Sequence, residues 1–477
     1  MSKLVQHITQ YTNDAIALVD EQNAITHHQL KNDIDEIEKK LHQHLTENKK
    51  RIFLSGNNCS ELLEFLLALL NTKHEIILID PRSSVEEIQS ILEETPCHFL
   101  ILEDDLLSSN FNAIASFSIR EKQYHICEYS TEDCCVINSD LKLFFCTSGS
   151  TGKAKIFGFT DEQLLSQFKN IADYLGFTEN DKSLCQLTIT HGHGLMISIP
   201  ILVNGGCVHY LAPQHCKADN VLQYVFKHRI SLLSGVPYQY NMMLQSNLKE
   251  KNLLKSLRFC FCGSAPMSAH LATAFQEKFG IHLHQVYGIS EIGPICFNLH
   301  QQEENKLSVG KVIPNIDYKI VDENGNENNE EGELVVRANF MTNAYLNNEE
   351  ATTLTFKNGW IYTQDMVKTD EAKNIYIVGR KSNFINVAGY KIYPIEIEKA
   401  LLSIDAIKEA VVFGVEDALK GQLIKAVVST FYPITEDEIK QACKQHLANY
   451  KIPHIIQFED ALQQTAIHKV ELSAYKK

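Results

Sequence analysis

Basic residues are in short supply: 44 Lys and Arg stand against 59 Asp and Glu among 477 residues, a net charge of −15. Nucleic-acid binders carry a basic footprint, so the balance argues against that class. Long apolar runs are also missing. The stretch MISIPILV is soon stopped by Asn204, Gly205 and Gly206, too short to span a bilayer. The opening MSKLVQHITQYTND is polar and lacks a secretory core. Thirteen cysteines are scattered along the chain, Cys134–Cys135 and Cys260-Phe-Cys262 among them. No CxxC pair has a matching second half, which argues against zinc. Together these absences describe a reduced, cytoplasmic protein with buried thiols, no membrane span and no nucleic-acid partner.

What is present is a large apolar fraction, 44% of the chain. Single cores rarely grow past about 250–300 residues, so this length implies more than one domain. Through about residue 305, short β-rich runs alternate with amphipathic stretches. HEIILID (74–80), HFLILE (98–103), SLLSGVP (231–237) and RFCFCGSA (258–265) read as buried strands. Ser84 to Glu87 and Thr160 to Gln163 have capping-box spacing and mark helix starts. Alternation of this kind predicts layered α/β packing. Beyond it, YKIVDENGNENNEEGELVVRA reads as a hairpin. Asp322, Asn324 and Asn326 imitate a calcium loop, but Glu327 stands where the loop needs glycine. The last hundred residues form a small α+β unit, with KEAVVFGV and LIKAVVSTF as strands. Thr435 to Glu438 starts a helix running toward Tyr450. The boundary falls near Gly379–Ser382, giving domains 1–380 and 381–477.

One run asks for a chemical explanation. FFCTSGSTGKAK (144–155) sets small hydroxyls, glycines and two lysines directly behind an apolar strand. Small residues let backbone N–H groups approach an anion, and Ser, Thr and Lys add donors. It is not the GxxxxGK[ST] phosphate loop, because Gly149 and Gly152 are too close together. Four more segments follow in order: VYGISEIG (286–293), read as following a strand, GWIYTQD (359–365), which puts Asp365 after another strand, GRKSNFINVAGYKIYPIEIE (379–398) and YKIPHIIQFEDALQQTAIHK (450–469).

In these five motifs, over nearly its whole length, the chain resembles the AMP-forming adenylating superfamily. That superfamily holds acyl- and aryl-CoA synthetases, peptide-synthetase adenylation domains and firefly-type luciferases, and the pattern is closest to the acyl-CoA synthetases. THHQLKNDIDEIEKKL (26–41) and LSGNNCSELLEFLLALL (54–70) are similar to its early segments. The resemblance implies a large multi-subdomain α/β adenylating domain. A small mobile α+β domain follows, with the active site between the two.

Residue roles follow from the same resemblance. Thr147, Ser148, Gly149, Ser150, Thr151, Gly152 and Lys155 match the loop holding the β- and γ-phosphates of ATP, with Lys153 left as a solvated side chain. Gly263, Ser264 and Ala265 match the strand end beside adenine, and Tyr287 with Gly288 the aromatic that packs on the purine. Ser290 replaces the usual Thr, and Glu291 matches the Mg²⁺ carboxylate. Asp365 matches the acid on the ribose hydroxyls, although Gln364 precedes it where Gly is usual. Arg380 matches the ribose-contacting hinge arginine, and Lys469 the catalytic lysine bridging carboxylate and α-phosphate. Ser382 takes the hinge position where Asp or Lys is common. Gly389, after Ala388, matches the loop lining the thiol tunnel. Asn386, Gln463 and His468 replace a common Lys, Pro and Gly.

The implied reaction activates a carboxylic acid as an acyl-adenylate, releases pyrophosphate and passes the acyl group to a thiol. In TITHGHGL (188–195), His191, His193 and Gly194 match the acyl-pocket segment, and the histidine pair is read as packed, not as metal ligands. No acid lies between Lys182 and Asp219, so a substrate ammonium would lack a counter-charge. The expected substrate is an acyl or aryl acid without an α-amino group. The thiol belongs to CoA or to a phosphopantetheinyl group on a separate carrier protein. Two alternatives stay open: an amino-acid-activating stand-alone adenylation enzyme, and a catalytically lapsed nucleotide-binding regulator.

Overall fold

The computed structural model describes residues 2–21, 23–45, 48–107, 111–129, 140–148, 154–248, 252–328, 330–381, 383–387, 390–417, 421–462 and 475. Among these, a seven-stranded sheet covers residues 51–160. Its centre is the parallel set Arg51–Ser55, Glu75–Leu78, Phe99–Glu103 and Leu141–Ser148. Each of the first three is buried along its whole length, as expected of a parallel strand covered on both faces. The helix Ser60–Asn71 is mostly apolar and is buried from Ser60 through Leu70, Glu61 and Glu64 included, a central element of the largest core.

A nine-stranded sheet follows. Its parallel strands Lys182–Cys185, Leu232–Gly235, Phe259–Cys262 and His284–Ile289 lie side by side in register. Their C-terminal ends therefore share one edge of the sheet. In open α/β sheets, that edge is where ligands bind. A third sheet runs from Asp317 to Arg380 and a fourth from Ile385 to Phe458. The fourth has its own core around Ile397, Leu401, Val412, Ile424 and Ile439.

The capping boxes are present as read. The Glu87 N–H donates to Ser84 Oγ at 3.1 Å while the Ser84 N–H donates to the Glu87 carboxylate at 2.7 Å. Thr160 with Gln163 and Thr435 with Glu438 do the same. Each such cap is worth about 1 kcal/mol. At the 321–331 hairpin, the Asp322 carboxylate accepts the N–H groups of Asn324 and Asn326 at 2.8 and 2.9 Å, an ordinary polar turn.

Three local readings shift. The helix begun at Thr435 ends at Cys443, and a 3₁₀ turn at Asn449–Lys451 precedes the last strand. VYGI lies within the strand His284–Ile289 instead of after it, and Asp365 lies inside the strand Trp360–Thr369 instead of after it. The strand Ala154–Thr160 leads into the helix that Thr160 caps, and Asp161 at the helix start binds the backbone of Lys3 and the hydroxyl of Ser2. Among the described residues, no helix is long and apolar enough to cross a membrane.

Candidate active site

A cavity of about 630 Å³ opens at the shared strand edge. Its lining includes Lys155, His191, His193, Ser264, Ala265, Tyr287, Gly288, Ser290, Glu291, Asp365 and Arg380. These residues come from segments spread over 225 positions of sequence, and the fold alone brings them together. The rim is completed from the fourth-sheet unit by the start of the helix Pro394–Leu401. Lys399 of that helix donates to the Ile377 carbonyl at 2.9 Å, tying it to the third sheet.

At one end of the cavity, three side chains form a chain. The Tyr287 hydroxyl donates to Asp365 Oδ2 at 2.7 Å, and Arg380 Nε donates to Asp365 Oδ1 at 2.9 Å. Asp365 and Arg380 are register partners on neighbouring antiparallel strands, so the backbone sets their spacing. Burial, and then the Asp365 carboxylate, push the Tyr287 phenol well above its ordinary range, so it stays a hydrogen-bond donor.

Gln364 explains the departure from glycine noted before Asp365. Its φ is +62°, the left-handed region where glycine is the default residue. The buried Glu333 holds it there: Glu333 Oε1 accepts both the backbone N–H and the side-chain amide of Gln364 at 3.1 Å. Lys381 secures the same carboxylate at 2.8 Å and donates its own N–H to the Gln364 carbonyl at 2.7 Å.

His193 is fixed from both ring nitrogens, to Ser264 Oγ and Ser234 Oγ, each at 2.8 Å. Gly194, the next residue, sits so close to the Thr188 carbonyl that a Cβ would lie 2.2 Å from it. Only glycine lets this helix start under the loop before it. Gly263 is packed similarly, with Val286 Cγ1 2.6 Å from an added Cβ. These two glycines shape the wall and do not line the cavity. Among the described residues, no cluster of three or more His, Cys, Asp or Glu could hold a metal by itself.

Glu291 stands at the turn following His284–Ile289, where Tyr345 donates its hydroxyl to Oε1. The Lys155 ammonium lies 5.0 Å from the centroid of the same Tyr345 ring. Thr147 and Ser148 end the strand Leu141–Ser148, with Lys155 and Ala154 opposite them on the antiparallel partner. The antiparallel pairing of these two strands delivers Lys155 to the cavity. Gly149, Ser150, Thr151, Gly152, Lys153, Ser382, Gly389 and Lys469 lie outside the described residues, as do Ala388, Gln463 and His468.

Tyr345, Ser234, Glu333 and Glu398 were not singled out from the sequence. The contacts each of them makes reach at least 14 positions along the chain, and no local pattern marks such contacts. Glu398 is a cavity-lining carboxyl that burial pushes up to about 7, although it accepts the Val412 N–H at 3.0 Å.

The family model described as "AMP-binding enzyme" matches residues 5–346, and that described as "AMP-binding enzyme C-terminal domain" matches residues 396–469. The chain belongs to the AMP-binding enzyme family. Within this family it is 27% identical to a 2-succinylbenzoate–CoA ligase of Bacillus pumilus, over 98% of this chain and 95% of that one. It is 28% identical to a long-chain-fatty-acid–CoA ligase of Haemophilus influenzae, over 87% of this chain and 74% of that one. The solved o-succinylbenzoate CoA synthetase of Bacillus subtilis, in complex with its acyl-adenylate intermediate, superposes with a TM-score of 0.82 at 25% identity. The match covers 98% of this chain and 97% of that one. The AMP-binding architecture, a large α/β portion followed by a small C-terminal one, is therefore the architecture of this chain.

Proposed function

We propose that the protein is an AMP-forming acid–CoA ligase, which activates a carboxylic acid with ATP and then transfers the acyl group to CoA. The observation that carries this reading is the convergence of Lys155, Tyr287, Glu291, Asp365 and Arg380 on one cavity. The family membership and the CoA-ligase relatives support it. They favour CoA over a carrier protein as the thiol. Residues 1–380 are assigned to the adenylate-forming domain. Residues 381–477 form the mobile domain, with Ser382 at the hinge and Gly389 toward the thiol path.

Asp365 and Arg380 present a carboxylate and a guanidinium side by side, suited to ribose hydroxyls. Tyr287 offers a flat apolar face for the purine between that pair and Ser264–Ala265. A carboxylate attacks a polyphosphate poorly because both are anions. The chain would meet that repulsion with Lys155 and the hydroxyls of the glycine-rich run at the departing pyrophosphate, and with Lys469 at the α-phosphate. Glu291 fits a Mg²⁺ site of the usual kind, in which one protein carboxylate and the substrate phosphates share the ion. Bound there, Mg²⁺ would neutralise phosphate charge. Ser290 keeps the hydroxyl of the usual threonine.

The acyl pocket is assigned to His191, His193 and the neighbouring Met196, all on the cavity wall. Among the described residues, the acids lining the cavity are Glu291, Asp365 and Glu398, and none lies on the 182–219 segment. This supports an acyl or aryl acid without an α-amino group. Incubation with ATP, Mg²⁺, CoA and a panel of acids, read as acyl-CoA by mass, tests the reading. Thioesters of simple acids are expected, and product from amino acids alone would refute the substrate class. Within the glycine-rich run, Lys155→Ala is expected to slow turnover more than Lys153→Ala; the reverse order would show the loop assignment to be displaced.

A further inference from the structure

Tyr345 touches both charged groups of the pyrophosphate end, yet nothing in the reaction as described uses it. It is 6% exposed and lines the cavity. Its hydroxyl donates to Glu291 Oε1, and its ring carries the Lys155 ammonium at 5.0 Å. Phe157 and Phe356 grip the ring edge-on, with centroids at 6.2 and 5.2 Å and interplanar angles of 74° and 60°. The backbone is pinned too. The Tyr345 N–H donates to Thr352 Oγ1 at 3.0 Å, and the Leu346 N–H donates to the Ile156 carbonyl at 2.6 Å, next to Lys155. The Thr342 N–H, three residues earlier, donates to the Glu291 carbonyl at 2.9 Å. The segment 342–346 is thus stitched to the strand bearing Lys155 and to the turn bearing Glu291.

We propose that Tyr345 is a positioning residue for adenylation, setting the Glu291 carboxylate and the Lys155 ammonium with one rigid side chain. This rests on the assignment of those two residues to the Mg²⁺·ATP end of the cavity. A phenol bound to one carboxylate oxygen fixes the carboxylate plane and leaves the second oxygen for another ligand. Groups that orient metal ligands in this way commonly matter about as much as tenfold in affinity. The aromatic face holds an ammonium weakly. The ring can therefore keep Lys155 placed beside the cavity while its ammonium still offers its charge to a polyphosphate. Phe157 and Phe356 hold the ring in place.

Tyr345→Phe and Tyr345→Leu separate the two contacts. Mn²⁺ binding, read by electron paramagnetic resonance with a non-hydrolysable ATP analogue present, reports on Glu291 without turnover. Tyr345→Phe is expected to weaken Mn²⁺ about tenfold and to lower the exchange kcat with the KM for the acid unchanged. In Glu291→Gln it should add nothing further. Nucleotide affinity without metal should fall about threefold in Tyr345→Leu and stay unchanged in Tyr345→Phe. Tyr345→Phe keeps the ring and its packing, so it carries the test if Tyr345→Leu does not fold. Wild-type Mn²⁺ affinity and exchange in Tyr345→Phe would overturn the proposal. A wild-type protein that binds no nucleotide would instead overturn the functional reading, and this proposal with it.

Discussion

Arg380 and Asp365 face each other across two antiparallel strands, joined by a 2.9 Å bond from Nε to Oδ1. Arg380 is the last residue of its strand, and the next sheet begins at Ile385. Arg380 therefore lies on the last strand before the chain passes to its C-terminal portion, and Asp365 on the strand beside it. If the pair holds the ribose as proposed, nucleotide binding and the position of that portion are mechanically adjacent.

Removing the carboxylate leaves both the Tyr287 hydroxyl and the Arg380 guanidinium without their partner. Losing a hydrogen bond to a charged group costs about 1.5–3 kcal/mol, or roughly 10- to 150-fold. Asp365→Ala is expected to raise the KM for ATP within that range in pyrophosphate exchange. Tyr287→Phe, which removes one neutral donor, should raise it only a few-fold. An ATP dependence unchanged in Asp365→Ala would contradict the ribose assignment.

Gln364 stores backbone strain that glycine would not. Gln364→Ala and Gln364→Gly both lose the amide bonded to Glu333, so their difference isolates the backbone. Gln364→Gly should be the more stable of the two by about 1 kcal/mol, measured by denaturant unfolding. Equal stabilities would mean that the left-handed conformation is relieved in solution.

Glu398 gives a pH dependence with a definite sign. Burial holds its folded value at about 7, above the ordinary 4.5. Between those limits the unfolded chain gives up its proton while the folded chain keeps it. The contribution to stability is thus fully present below pH 4.5 and is lost as pH rises through about 7. The thermal midpoint of the wild type should fall relative to that of Glu398→Gln across this window. Parallel curves for the two proteins would show that Glu398 is ionised in the folded state.

His193 is bonded to Ser264 and Ser234 and is proposed to line the acyl pocket. Losing it should change acid use and spare nucleotide use. His193→Ala is expected to raise the KM for the acid several-fold, with the KM for ATP near wild type. A rise confined to ATP would move His193 to the nucleotide end.

The parallel strands could be read in the sequence because a strand covered on both faces must be apolar throughout, as Glu75–Leu78 and Phe99–Glu103 nearly are. The capping boxes could be read because their chemistry closes within four residues. The motif residues Tyr287, Asp365 and Arg380 could be named from the family resemblance, and the structure brings them into contact. What stayed hidden were contacts with no local signature. Tyr345 meets Glu291 across 54 residues. Glu333 pins Gln364 from 31 residues away. The Gln-for-Gly departure looked like a loss, and only the Glu333 contact shows how the same conformation is kept.

The central claim is that the cavity forms an acyl-adenylate from ATP and a simple carboxylic acid. Exchange of labelled pyrophosphate into ATP, with Mg²⁺ present and CoA absent, measures that step alone. The account predicts exchange that requires an acid lacking an α-amino group and that collapses in Lys469→Ala. Absence of exchange with every acid of a broad aliphatic and aromatic panel, by a folded protein that binds ATP, would contradict it.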